Sequence, residues 1–267
     1  MSLSKRYSIQ WPESESVESE PTLTIVITSP NGLYVDIRSF IDSNDDDDEL
    51  FDWYFAGIEI PVINELNKIE FNHEFFDSLY IKNFFKNNFK TTKFLIESDI
   101  GYFKDSENFN EFLKGIRIET GNLKNPKTNK FESYIEKWIT CNPIISNLEF
   151  IGHNVKNGNQ IKCIVLDTDN GGIIENENNE NVCIGRYIVY GNWIQSLFWN
   201  KKIITSMKDS VAVYRHAIGV KNFDINYGGQ INMLPKFEQV KLKKLKLNDI
   251  AADINGVKWI VKEIHNW

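Results

Sequence analysis

The stretch TLTIVITSPNGLYVDIRSF, residues 22–40, decides the fold class of this chain. β-Branched and aromatic residues alternate along it on both sides of a short Ser-Pro-Asn-Gly segment. An Asn-Gly pair between two alternating runs is a strong local signal for a β-hairpin, because the pair readily adopts the positive φ angles of a tight turn. The stretch therefore predicts two antiparallel strands joined by a turn at Asn31 and Gly32.

Similar short runs fill the rest of both halves, such as FDWYFAGIEI at 51–60 and VCIGRYIVYGNWIQSLFW at 182–199. Closing a sheet into a barrel removes its exposed edges, so short strands at this spacing predict two consecutive antiparallel β-barrels in an all-β protein. We assign residues 22–142 to an N-terminal barrel domain and residues 143–267 to a C-terminal barrel domain.

Each half also places a tryptophan near a glycine, with Trp53 before Gly57 and Gly191 before Trp193. This echo fits a duplication of one barrel, and it equally fits two unrelated β domains. Residues 1–21 differ from both halves, because serines alternate with glutamates there and the segment ends in a proline. Such a composition is typical of a mobile acidic tail.

Charge and composition exclude several classes of protein. The 267 residues include 30 Lys and Arg against 37 Asp and Glu, which gives a net charge of −7 and argues against a nucleic-acid surface. No segment approaches the roughly 18 consecutive apolar residues of a membrane span. The three cysteines lack the spacing of a metal site, which favours reduced thiols. We therefore expect a soluble protein of the cytoplasm or nucleus, with no nucleic-acid partner and no membrane span.

Catalytic motifs are missing from the sequence. The four histidines form no HExxH motif, and there is no GxSxG, GxxxxGK[ST] or GxGxxG motif. These observations predict a protein that is not an enzyme and that uses no cofactor and no metal. A site assembled from distant residues stays open, because such sites are recognised by geometry.

Two acidic segments carry candidate phosphorylation sites. Ser43 precedes the Asp45–Glu49 run, so an acid-directed kinase would find acidic residues after it. In the N-terminal segment, Glu13 lies three residues before Ser16, and a phosphate on Ser16 would stand three residues before Ser19. The candidate phosphosites are Ser14, Ser16, Ser19 and Ser43.

Aromatic residues in the predicted strands have two possible roles. A buried ring contributes a few kcal/mol by leaving water, so core packing is the default. The alternative is that some rings line the mouth of a barrel that holds a small apolar ligand. The candidates for a barrel lining or core are Trp53, Phe55, Trp138, Trp193 and Trp259.

Five segments stand out along the chain: FDWYFAG at 51–57, ETG at 119–121 followed by Trp138, IGR at 184–186, GNWIQ at 191–195 and NGVKW at 255–259. Together they resemble a fungal family of casein-kinase-I-interacting proteins. The resemblance implies two related lipocalin-like (calycin-like) barrels and no reaction. It also implies phosphorylation by casein kinase I and contact with the endoplasmic-reticulum translocation machinery on its cytosolic face. Where the family tends to carry Arg before Trp-Ile-Gln, this chain has Asn192.

Two functions follow as hypotheses. The first is a non-enzymatic, soluble interaction protein that is a partner and substrate of casein kinase I. The alternative is the binding of a small apolar ligand inside a lipocalin-like barrel, which predicts a cavity lined by aromatic rings.

Overall fold

The computed structural model describes residues 1–42, 50–89, 98–125, 127–128, 130–144, 162–176, 179, 182–241 and 244–266. Over these residues the chain forms two antiparallel sheets, as the alternating patterns predict, and the protein is all-β. The first sheet lies within residues 2–140 and the second within residues 162–266.

The first sheet is a closed barrel. Its strands are β1 (Ser2–Trp11), β2 (Glu15–Ser19), β3 (Thr22–Thr28), β4 (Leu33–Phe40), β5 (Phe51–Pro61), β6 (Lys68–Asp77), β7 (Asp99–Asp105), β8 (Ile116–Lys124) and β9 (Phe131–Thr140). Strands β1 and β3 to β9 follow one another around the barrel, and pairing of β1 with β9 closes it with eight strands. Strand β2 pairs with β1 outside this closed circuit. Two short helices, α1 (Ser78–Lys86) and α2 (Phe109–Leu113), connect the later strands.

The predicted turn between β3 and β4 is confirmed. Seven residue pairs join the two strands in register, from Thr22 opposite Phe40 to Thr28 opposite Tyr34. Gly32 has a φ of +86°, a conformation that favours glycine. Its position is also tight, because a Cβ placed there would lie 2.7 Å from the carbonyl oxygen of Glu59.

The prediction of a mobile tail at residues 1–21 is wrong. Strand β1 pairs with β3 on one side and with β9 on the other, so it is an integral barrel strand. Leu3, Ile9 and Trp11 are buried. The polar residues conceal this strand because Arg6 lies in the barrel interior, where it pairs with Glu20, and because Glu18 pairs with Lys137 toward the surface.

The second sheet is open. Its strands are β10 (Lys162–Thr168), β11 (Cys183–Tyr190), β12 (Trp193–Asn200), β13 (Val211–Ala217), β14 (Val220–Tyr227), β15 (Ile250–Ile254) and β16 (Val257–Asn266), in the order β14-β13-β12-β11-β10-β16-β15. Among the described residues, β14 and β15 are the edges and do not pair with each other. The second predicted barrel is therefore not observed over the described part of the chain.

Both faces of the second sheet are covered, which removes the need for closure. One face packs on the outside of the N-terminal barrel, where Val165, Trp193 and Leu197 share a core with Ile25 and Val35. The other face holds Trp259, Phe198 and Leu166 under helix α4 (Phe237–Lys241) and a 3-10 turn (Ile231–Met233). Helix α3 (Met207–Ser210) leads into β13.

This packing explains why the barrel has an apolar outer face where it meets the second sheet. On β4, Val35 and Ile37 face the second sheet, whereas the alternate residues Asp36 and Arg38 lie on the opposite, interior face. The interior therefore holds charged side chains together with aromatic rings such as those of Trp53 and Phe55.

Candidate functional site

An ion-pair network crosses the interior of the N-terminal barrel. Arg6, on β1, is 2% exposed, and its Nη1 donates to Glu136 Oε1 on β9 at 2.5 Å. Its Nε donates to Glu20 Oε2 at 2.9 Å, and its Nη2 donates to Thr22 Oγ1 at 2.8 Å. Burial opposes the charge on Arg6, but Glu136 and Glu20 outweigh it and raise the pKa of the guanidinium. Arg6 is therefore charged and nearly saturated with acceptors.

Arg38 is the second cation of the network. Its Nε and Nη2 lie 3.0 and 2.9 Å from the same oxygen of Asp36, while its Nη1 lies 3.9 Å from Glu136 Oε1. Burial lowers the pKa of Arg38, and the two carboxylates more than compensate and raise it. The guanidinium also lies 5.3 Å from the ring centre of Trp53 and 5.2 Å from that of Phe55. Such cation–π contacts hold the side chain in place.

A second acidic group surrounds Tyr134. The Tyr134 hydroxyl lies 2.9 Å from Glu119 Oε1 and 3.2 Å from Asp99 Oδ2. Burial and the charge of Glu136 raise the pKa of Asp99 to about 6, and the same causes raise the pKa of Glu119 well above its usual value. The negative charge of Asp99 also opposes ionisation of Glu119 and adds to the rise in its pKa.

A cavity of about 390 Å³ lies at one end of the barrel, beside the ion-pair network. Arg6 and Arg38 line it. Its apolar walls come from β1, β4, β5, β8, α1 and Pro21, and they comprise Ile9, Trp11, Phe40, Trp53, Leu79, Leu123 and Pro21. Glu15, Ser19, Asp52, Lys124, Asn125 and Lys127 complete the lining. A volume of this size falls within the range of pockets that hold small organic molecules, about 300–1,000 Å³.

A smaller cavity of about 130 Å³ lies at the opposite end of the barrel. Hydroxyls of Ser2, Ser4 and Thr28 line it, together with the Glu119 carboxyl and the Trp138 ring. The Trp138 Nε1 group has no hydrogen-bond partner among the described residues. This smaller cavity has less volume than ordinary pockets for organic ligands, and its lining is polar enough to hold water.

The predicted aromatic residues fall into two groups. Trp53 and Trp138 are partly buried and line the two barrel cavities. Phe55 is buried beside Trp53, with 4.1 Å between ring centres. Trp193 and Trp259 are fully buried in the packed cores of the second sheet, where Trp259 Nε1 donates to the Met233 carbonyl at 3.0 Å. The structure therefore brings Trp53 and Phe55 together and leaves the other three apart.

The predicted phosphosites occupy an ordered hairpin. Ser14 lies between β1 and β2, and its hydroxyl donates to Glu132 Oε2 at 2.5 Å while it accepts from Asn125 at 3.0 Å. Ser16 and Ser19 belong to β2, with Ser19 opposite Ile9. Ser43 lies outside the described residues.

Metal ligands, thiols and apolar helices are the remaining features of the described residues that bear on function. In that part of the chain, no three His, Cys, Asp or Glu side chains are grouped in a way that would hold a metal ion. Burial raises the pKa of Cys141 to about 11 and of Cys163 to about 12. Among the helices that the structure describes, none combines the length and the apolar character needed to cross a membrane.

Sequence reasoning missed the charged residues of the site. Arg6, Asp36, Arg38, Glu119 and Glu136 were not candidates, because polar residues in strands usually face solvent. One signal was available: Asp36 and Arg38 are two apart on a strand and share one face with opposite charges.

The fold and the site define a class of two-sheet β protein, in which a closed barrel encloses an ion-pair network and a cavity of ligand size. The chain belongs to the HRI1 family: the family model described as Protein HRI1 matches residues 2–263. The crystal structure of the uncharacterized protein YLR301w from Saccharomyces cerevisiae is similar to this chain, with a TM-score of 0.70 and 23% sequence identity. The match covers 99% of this chain and 98% of the yeast chain, and at this identity it shows the fold alone. No curated protein matches the sequence.

Proposed function

We propose that the N-terminal barrel binds a small, mainly apolar molecule in the cavity of about 390 Å³ beside Arg38. The observation that carries this proposal is the cavity itself, walled by the rings of Trp11, Trp53 and Phe40. The cavity opens to solvent, and its apolar wall is therefore in contact with water. A ligand that covered this wall would remove apolar area from water, which favours binding.

The second sheet provides an internal comparison. The face of the second sheet that lies away from the barrel is filled by Trp259, Phe198 and other large side chains. The same chain therefore packs one sheet solidly while it leaves room in the other, which supports a binding role for the N-terminal barrel.

A neutral fluorescent probe tests this function. N-phenyl-1-naphthylamine emits strongly in an apolar site and carries no charge that could bind elsewhere. We expect saturable binding to the full chain and at least tenfold weaker binding to Leu123→Trp, since the larger ring would occupy the cavity. Leu66→Trp is the matched control, because Leu66 is 88% exposed on the barrel surface. Equal affinity in all three proteins would reject the cavity as the binding site.

Native mass spectrometry gives an independent test. Protein purified from its own host without denaturant should carry a small molecule, and that mass should be absent from Leu123→Trp. An adduct of the same mass on both proteins would place the molecule elsewhere.

The lipocalin-like character of the barrel belongs to the same proposal. Eight-stranded antiparallel barrels of this kind can hold one small ligand, and both the strand number and the cavity support the comparison. A duplication of the two halves stays a prediction.

The casein kinase I partnership also stays a prediction, as do the contact with the translocation machinery and the cytoplasmic or nuclear location. The folded hairpin bears on how such phosphorylation could occur. Ser14 is exposed, but its hydroxyl donates to Glu132, so phosphorylation would require this hydrogen bond to break.

A further inference from the structure

We infer that the ligand of this cavity is an organic anion, a carboxylate with an apolar chain, whose acidic group binds Arg38. This inference rests on the proposed function and adds the polarity of the ligand. It follows from how the charged residues are distributed around the cavity.

The charges of the ion-pair network are not presented equally to the cavity. Arg6 and Arg38 both line it, whereas their carboxylate partners Asp36, Glu136 and Glu20 do not. The two guanidinium groups of the network therefore face a ligand in the cavity, and the three carboxylates lie outside the cavity lining.

The rim itself is charge-balanced. Lys124 and Lys127 line the cavity together with the acidic residues Glu15 and Asp52. Lys127 pairs with Glu15 at 2.6 Å, so these two charges cancel, and the positive side of the site is the pair of guanidinium groups. A cationic ligand would meet two guanidiniums in the cavity, and an anionic one would meet favourable charge there.

Arg38 is the residue with donor capacity to spare. Arg6 spends its Nε, Nη1 and Nη2 groups on Glu20, Glu136 and Thr22. Arg38 directs Nε and Nη2 at Asp36, while its Nη1 lies 3.9 Å from Glu136, beyond hydrogen-bond distance. Within the described part of the chain, this Nη1 makes no hydrogen bond. A ligand carboxylate would accept a charge-assisted hydrogen bond from this Nη1 group.

The apolar part of the ligand has a defined place. From Arg38 the wall continues over Trp53 to Ile9, Trp11 and Leu123. A ligand with an acid at one end and an unbranched hydrocarbon chain would satisfy both the donor and the apolar wall.

The test is displacement of N-phenyl-1-naphthylamine by three molecules with the same chain: decanoate, decanol and decylamine, at pH 7.5 and low salt. We expect decanoate to bind about ten- to a hundredfold more tightly than decanol, the range of one charge-assisted hydrogen bond. Decylamine should bind most weakly.

A double variant assigns that preference to Arg38. Replacing Arg38 alone would leave Asp36 buried without a partner, so Asp36→Asn/Arg38→Gln removes both charges of the pair and leaves polar side chains in their place. The preference is the ratio of the decanoate and decanol affinities within one protein, so a change in probe affinity caused by the altered wall cancels. We expect the double variant to lose the preference for decanoate over decanol. Lys104→Gln is the control for a positive charge outside the cavity, and it should retain the preference.

The outcomes separate the two claims. Probe binding without a preference for decanoate, or a preference that survives in the double variant, overturns the anionic ligand and leaves the cavity function standing. Failure of the probe to bind the full chain overturns both.

Discussion

Leu3→Ala tests whether the first strand belongs to the core of the protein. Leu3 is 0% exposed and lies on β1, where it packs in the core shared by the barrel and the second sheet. Truncating a fully buried leucine removes its transfer free energy and leaves a cavity, which costs about 2–5 kcal/mol. For a chain of this size, each kcal/mol lowers the melting temperature by about 2–4 °C. We therefore expect Leu3→Ala to melt roughly 4–20 °C below the wild type.

The matched control lies in the same 21 residues. Val17, on β2, is 75% exposed, so Val17→Ala should change the free energy of unfolding by less than about 0.5 kcal/mol. The assay is guanidinium unfolding followed by circular dichroism and tryptophan fluorescence, with thermal melting alongside. A mobile tail would make both substitutions neutral. Unfolding free energies for Leu3→Ala and Val17→Ala that agree within error would therefore refute the placement of β1 in the core.

Four further substitutions test other parts of the structure. Trp193→Ala should lower the free energy of unfolding by about 3–5 kcal/mol, because the Trp193 ring is fully buried. Trp53→Ala should cost less than half as much, because the Trp53 ring borders the cavity. Chemical denaturation of both variants measures the two losses, and equal losses would contradict the different burial of the two rings. Asp99→Asn should flatten the pH dependence of the free energy of unfolding. Burial raises the pKa of Asp99 from 3.8 to about 6, so its stabilising contribution is complete below about pH 4 and is lost as the pH rises through about 6. The difference in the free energy of unfolding is up to ~3 kcal/mol. Unfolding curves between pH 4 and 7 measure this, and parallel profiles for both proteins would rule it out. Arg186→Met should cost about 3–5 kcal/mol, because it leaves Asp167, now 2.8 Å from the guanidinium, buried without a partner; a loss below 1 kcal/mol would mean that the pair is not buried in solution.

Local sequence patterns predicted the strands well, and they predicted poorly which face of each strand is buried and against what. The alternation at residues 22–40 gave the β3–β4 hairpin with its turn at Asn31 and Gly32, because turn chemistry and period-two alternation are both local properties. The same alternation does not say which face points into a barrel. Here the apolar face lies outside, against the second sheet, and only the tertiary contact decides this.

The candidate site depends on pairs that are distant in sequence. Arg6 and Glu136 are 130 residues apart, and they meet only because β1 closes the barrel against β9. An isolated Arg or Glu in a strand indicates solvent exposure, so the polar segment 1–21 appeared to be a tail. The sequence leaves Trp53 as a candidate for either the core or a barrel lining, and only the tertiary contacts place its ring at the border of the cavity.

The most direct test of a ligand cavity in the N-terminal barrel is a crystal structure of the protein grown with ω-brominated decanoate. The anomalous signal locates bromine without reference to the surrounding density. The cavity predicts a bromine peak between the walls that contain Trp11 and Leu123, with the carboxylate toward Arg38. Bromine found only on the outer surface, or a cavity filled by the side chains of Trp53 and Phe40, would contradict it.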